Sequence, residues 1–173
     1  MIKKINDDLN NYISEHIKYQ MLSFKLSNDA NQKGFPGFAR FFQIEAADAV
    51  VHIRKICNYL MDQDAEVEIK DIKVPIFTTK NIEDTLKKLK ATKEELLDFT
   101  NKLVKSAREN NDNLTAKFYD WFLIDFYEEI AYEKDLLDWI AMSNHNLYKI
   151  DKRLLKTEEP DTLKVIVPFY EAE

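Results

Sequence analysis

From Ile2 to about Asn28 the apolar residues Ile5, Leu9, Tyr12, Ile13, Ile17, Tyr19, Met21, Phe24 and Leu26 recur mostly at three- and four-residue spacing. That repeat is the signature of one buried helix face. Gln32-Lys-Gly-Phe-Pro-Gly37 interrupts it, and a second such segment runs from about Pro36 to Met61 through Phe38, Phe41, Phe42, Ile44, Val50, Ile53, Ile56 and Leu60. So short a break predicts an antiparallel neighbour. Residues 62–80 alternate apolar and polar positions around Pro75 and read as an extended connection. At ~3.3 Å per residue, such a stretch can run the whole length of a helix as long as the first. Asn81, with Glu83 in the first turn, opens a third helix that ends near Glu109, where Asn110-Asn-Asp-Asn113 breaks the pattern. A fourth runs from about Leu114 to Ser143 and is rich in aromatics, and a short fifth follows Asn144-His145-Asn146, from about Leu147 to Lys156. Two helical hairpins joined by one long crossover predict an all-α, up-down-down-up four-helix bundle with a short fifth helix.

Composition fits one such domain. The chain has 173 residues, 45% of them hydrophobic, with only two glycines and four prolines to punctuate it, so it can bury a sizeable core and must be mostly helix. No apolar run approaches membrane-spanning length and the N-terminus lacks an apolar leader, which predicts a cytoplasmic protein without membrane contact. The single cysteine, Cys57, lies within a helical pattern and reads as core. A net charge of −6 argues against a surface that binds nucleic acid all over, while leaving local clusters open.

The stretch Glu45-Ala-Ala-Asp48-Ala49-Val-Val-His52 carries the candidate chemistry. A Glu-x-x-His pair on an inward helix face is the half-site of carboxylate-bridged di-iron proteins, yet the position three before His52 is Ala49. His52 alone reads as a hydrogen-bonded core histidine before it reads as a ligand. Asp48, four residues away, can share its face, and Glu15 with His16 could do the same on the first helix.

The stretches Ile5-Asn-Asp-Asp-Leu-Asn, Lys18-Tyr-Gln-Met, Gly37-Phe-Ala-Arg-Phe-Phe, Cys57-Asn-Tyr-Leu-Met-Asp, Ile76-Phe-Thr-Thr-Lys, Phe118-Tyr-Asp-Trp-Phe and Leu147-Tyr-Lys-Ile-Asp-Lys follow one another in a specific order and spacing. Through them the chain resembles bacterial ferritin over residues 2–156. The resemblance implies a ferritin-like bundle over residues 1–156, a shell of 24 subunits, and a C-terminal extension over 157–173. It also implies where the iron-oxidising ligands would stand. The first-helix glutamate falls on Tyr12, the bridging glutamate on Ala49, a fourth-helix glutamine or glutamate on Phe126, and the third-helix position on either Lys93 or Glu94. His52 and Glu129 are retained, so His52, Glu129 and Glu94 form the expected remnant of a metal site. Two irons held in a water-poor interior need anionic oxygens to neutralise them. With carboxylates missing, the expectation is a shell without iron-oxidising activity, no tightly bound cofactor, and at most weak iron.

Basic residues point to a second cargo. Arg54 and Lys55 stand beside His52, where the resemblance implies an inner surface lined with glutamates, and Lys149, Lys152, Arg153 and Lys156 form one stripe of the fifth helix. A cationic stripe at a helix end is first of all dipole compensation and solubility. Repeated around a shell, however, it would make a field suited to a polyanion such as DNA, bound through phosphates without base readout. On the outer surface Lys3, Lys4, Lys87, Lys88, Lys90 and Lys93 are the candidates, the third-helix group reading as a solvated face. The leading expectation is a ferritin-like, non-oxidising shell that binds and shields a polyanion. The alternatives are an iron store of low activity, or a structural subunit co-assembling with an active ferritin.

Overall fold

The computed structural model describes residues 1–74, 76–144, 146–160 and 164–169. It contains five helices: α1 (Lys3–Gln32), α2 (Pro36–Asp62), α3 (Ile82–Glu109), α4 (Asn113–Met142) and α5 (Tyr148–Leu154). Observed boundaries lie close to those read from periodicity, because caps sit where the sequence supplies cap chemistry. Asn81 accepts a hydrogen bond from Asp84 N at 2.8 Å, and Asp112 accepts one from Thr115 N at 3.0 Å.

The turns explain how so few glycines suffice. At the end of α1, Gly34 adopts φ +83°, and Phe35 N donates back to Ala30 O at 3.0 Å, which closes the helix with a left-handed residue. The ends of α2, α3 and α4 use Asp64, Asn111 and Asn144 at φ 49°, 58° and 52° instead, residue types that tolerate this region. Gly37 serves another purpose. A Cβ there would lie 1.7 Å from the Asp151 carbonyl oxygen, so α5 seats its backbone on the first turn of α2. Asp151 completes the joint by accepting from Phe38 N at 3.0 Å.

Cross-helix pairs fix the topology. Asp8, Tyr12 and Asp29 of α1 meet Ser106, Thr100 and Thr79 on the other side, so α3 runs antiparallel to α1. Similarly Tyr59 meets Thr115 while Phe41 meets Tyr132, which sets α4 antiparallel to α2. With α1 and α2 antiparallel across their short turn, α2 and α3 are parallel, as an end-to-end crossover requires. The crossover is extended where described and is pinned to α1 through Asn10, which donates to Glu66 O at 2.9 Å and accepts from Glu68 N at 2.7 Å.

In the C-terminal extension, residues 164–169 form turns that lie along α2 of the same chain. Lys55 Nζ donates to the Val165 and Val167 carbonyls at 2.9 and 2.6 Å, Asn58 donates to Ile166 O at 2.9 Å, and the Phe169 ring stands edge-on to Tyr59.

Candidate metal centre

Helical periodicity delivers three polar layers to the bundle axis. On α1, Tyr12, His16 and Tyr19 fall at i, i+4 and i+7; on α2, Glu45, Asp48 and His52 fall at i, i+3 and i+7; on α4, Asp125, Glu129 and Glu133 are each four apart. Each set lies on one side of its helix. α3 contributes Lys93 and, seven residues later, Thr100.

The deepest layer is built around a lysine. The Lys93 ammonium is fully buried and lies 2.6 Å from Glu45 Oε2, 2.9 Å from Glu133 Oε1 and 3.0 Å from Glu129 Oε2. Tyr19 closes the ring by donating to Glu45 Oε2 at 2.5 Å. Burial alone would push the Lys93 ammonium toward its neutral form, but Glu129, Glu45, Tyr19 and Glu133 reverse this and hold its pKa well above the ordinary value. Burial raises the Glu133 carboxyl to about 7 despite the pull of Lys93. Glu129 is also raised well above the carboxylate range, first by burial and then by Glu45, against Lys93. A groove of about 650 Å³ between α1, α3 and the crossover ends at Tyr19, so the phenol separates solvent on that side from the ion cluster.

One turn away stands a second cluster. His52 Nε2 lies 3.1 Å from Asp48 Oδ2 and 3.0 Å from Asp125 Oδ2. Burial opposes a charge on His52, but Asp48 and Asp125 raise its pKa well above the usual histidine value. His52 in turn holds Asp48 below the usual carboxylate range against the cost of burial, helped by a hydrogen bond from Glu129. That bond joins the two clusters. His16, fully buried, packs edge-on to His52 with ring centroids 5.0 Å apart and stacks on Phe126 at 5.8 Å. Burial and His52 keep its pKa well below the usual value, so it is neutral. The third layer holds no charge, only hydroxyls among aromatic rings: Tyr12 shares a 2.6 Å hydroxyl contact with Thr100 and packs against Tyr119 and Phe122.

His52 and Glu129 both face the axis, in adjoining clusters. Glu94 does not join them: it is exposed and pairs with Lys90 one turn back, while Lys93 is the residue that points inward. Lys93 is therefore neither a missing ligand nor part of the solvated α3 face. Asp125 and Glu133 had no role in the sequence reading and Glu45 only headed the quoted stretch; their signal was the four-residue spacing of Glu45 to Ala49 and of Asp125 and Glu133 to Glu129. Glu15 stays near the surface with Lys18, apart from His16. Among the basic residues, Lys55 is buried; its ammonium holds the 164–169 segment and lies 4.6 Å from the Trp121 ring centroid. Burial lowers its pKa to about 8, with Asp125 opposing. Arg54, Lys149, Lys152, Arg153 and Lys156 are exposed, Arg153 stacking on Trp139 at 4.6 Å.

At the positions where the resemblance implies iron ligands stand Tyr12, Ala49 and Phe126, and the carboxylates of the deepest layer are engaged by an ammonium.

Comparison with known proteins agrees with the bundle. No helix among the described residues is long and apolar enough to cross a membrane. A bacterial non-heme ferritin of Staphylococcus aureus is 26% identical over 158 residues, covering 89% of this chain and 92% of that protein. A probable bacterial non-heme ferritin-like protein of Haemophilus influenzae is 25% identical over 158 residues, covering 89% and 93%. An engineered closed form of the Archaeoglobus fulgidus ferritin superposes with a TM-score of 0.89 at 17% identity, over 92% of this chain and 99% of that one. A humanized archaeal ferritin gives 0.88 at 18%, over 93% and 99%; at such identities the likeness is one of fold. The ferritin-like domain matches residues 2–142, and the chain belongs to the ferritin family.

Proposed function

We propose that this chain is the subunit of a ferritin-type shell that does not oxidise Fe(II) at a paired-ion centre inside the bundle. The observation that carries this reading is the Lys93 ammonium, seated within 3.0 Å of Glu45, Glu129 and Glu133. Two divalent ions would have to share that negative potential with a fixed positive charge. At 4 Å and an effective dielectric of about 20, a divalent ion beside an ammonium is repelled by about 8 kcal/mol, which offsets the attraction of one of the three carboxylates at a like distance. A shell is supported by family membership and by large apolar side chains that one chain leaves open: Ile76, Met142, Tyr127 and Ile124 are 101%, 76%, 70% and 62% exposed. The resemblance sets the expected number of copies at 24.

The test is Fe(II) oxidation in air by the purified protein against a buffer blank. The blank rate is expected; a rate well above it that Glu133→Gln or His52→Gln abolishes would overturn the reading.

A second reading, sequence-independent contact with a polyanion such as DNA, keeps one specific support. Arg54, Lys149, Lys152, Arg153 and Lys156 have no carboxylate partner among the described residues. Lys55 no longer contributes, because its ammonium is committed to the chain itself. A gel shift that fades steeply with salt and weakens in a Lys149→Gln, Lys152→Gln, Lys156→Gln variant would support this reading; no shift at low salt would remove it.

A further inference from the structure

Where Lys93 closes one layer, the neighbouring layer is built to accept an ion. His52 Nε2, Asp48 Oδ2 and Asp125 Oδ2 lie within 4.8 Å of one another. The two nitrogen–oxygen edges of 3.0 and 3.1 Å approach the ~3.3 Å edge of a tetrahedron with ~2.0 Å bonds. Both carboxylates crowd the same nitrogen from different helices, as ligands around a shared point do.

His16 supplies the independent observation. Its ring is fully buried beside His52, and among the described residues neither of its nitrogens has a hydrogen-bond partner. A buried neutral imidazole without a partner is unusual, and imidazole is a preferred ligand of borderline divalent metals. The site also has an approach. Asp48 and Asp125 keep 23% and 29% of their side chains exposed, so an ion reaches them from the α2–α4 side without passing the Lys93 cluster. Phe126, Phe122 and Trp121 wall the rest.

We propose that Asp48, His52 and Asp125 form a mononuclear site for a divalent transition metal of the borderline class, Zn²⁺ or Co²⁺ in type, with the His16 ring packed against its histidine. One imidazole and two carboxylates give such an ion a neutral set with a fourth position open to solvent, whereas Ca²⁺ and Mg²⁺ prefer all-oxygen shells. The site uses none of the Lys93-bound glutamates as a ligand, so it stands or falls separately from the closed centre.

The experiment is a Co²⁺ titration of the assembled protein, followed through the visible bands of low-symmetry cobalt and through Trp121 fluorescence, with Zn²⁺ as competitor. One equivalent per subunit is expected, displaced by Zn²⁺ and unaffected by excess Mg²⁺. His52→Gln and Asp125→Asn should each weaken binding by at least about 100-fold, since even outer partners of a metal ligand carry about 10–100-fold. His16→Phe should weaken it by about 10-fold or more on the same grounds. The surface variant Glu15→Gln should leave it unchanged. Gel filtration of each variant separates loss of the site from loss of the fold. Absence of cobalt bands overturns the site and leaves the closed centre standing. Binding that survives His52→Gln but disappears in Glu133→Gln places the ion in the Lys93 layer and overturns both.

Discussion

Replacing Lys93 by methionine tests the deepest layer most severely. The side chains have similar length, so packing is nearly kept while the charge is lost. Three carboxylates that stood 2.6–3.0 Å from an ammonium are left facing one another. Breaking a buried ion cluster by removing one partner costs about 3–5 kcal/mol. For a chain of this size each kcal/mol moves the melting temperature by about 2–4 °C, so a fall of roughly 6–20 °C is expected by circular dichroism at fixed protein concentration. The variant should also gain what the native chain refuses. Glu45, Glu129 and Glu133 with Tyr19 become an all-oxygen site, and Mn²⁺ or Mg²⁺ at 100 times its Kd should restore about 2.7 kcal/mol. Native protein should show no such rescue from this layer. A Lys93→Met protein as stable as the native one, and indifferent to these ions, would refute the idea that the ammonium acts as the counter-ion of the bundle.

Other expectations follow from the same geometry. Glu133, with its carboxyl raised to about 7 in the folded state, should show a protonated-carboxyl infrared band that disappears with a midpoint near pH 7 and is absent in Glu133→Gln. Because the folded value lies above the ordinary one, the stability it contributes is complete below the unfolded carboxylate pKa and is lost as pH rises through about 7. Gly37→Ala places a methyl group 1.7 Å from the Asp151 carbonyl oxygen; α5 must detach, and limited proteolysis after Met142 should accelerate several-fold. Lys55→Met removes both bonds to the Val165 and Val167 carbonyls, about 1.5–3 kcal/mol for each bond from a charged donor, and should expose residues 164–169 to carboxypeptidase while α1–α4 keep their helix content.

The helices were legible because so little interrupts the apolar repeat, and the order of the hairpins followed from the lengths of the breaks between them. Asp64, Asn111 and Asn144 could take the left-handed turns usually given to glycine, so a scarcity of glycine did not hide the ends of the helices. The site was legible only in part. The resemblance put His52 and Glu129 at the bundle centre, but it left the α3 position open between Lys93 and Glu94, and Lys93 stands among Lys87, Lys88 and Lys90 on a helix whose lysines mostly face water. Its burial depends on three carboxylates from α2 and α4, and no single-helix pattern reports that. Lys55 misled for the same reason, because its partners are carbonyl oxygens more than a hundred residues away, and a backbone acceptor leaves no mark in sequence.

If an internal ammonium takes the place of paired ions in this bundle, anaerobic Fe(II) titration of the native protein, read by calorimetry and metal analysis after gel filtration, will find no more than one tightly held ion per subunit, lost with His52→Gln and indifferent to Glu133→Gln. Two ions per subunit, both lost when Glu45 or Glu133 is changed to glutamine, would contradict it.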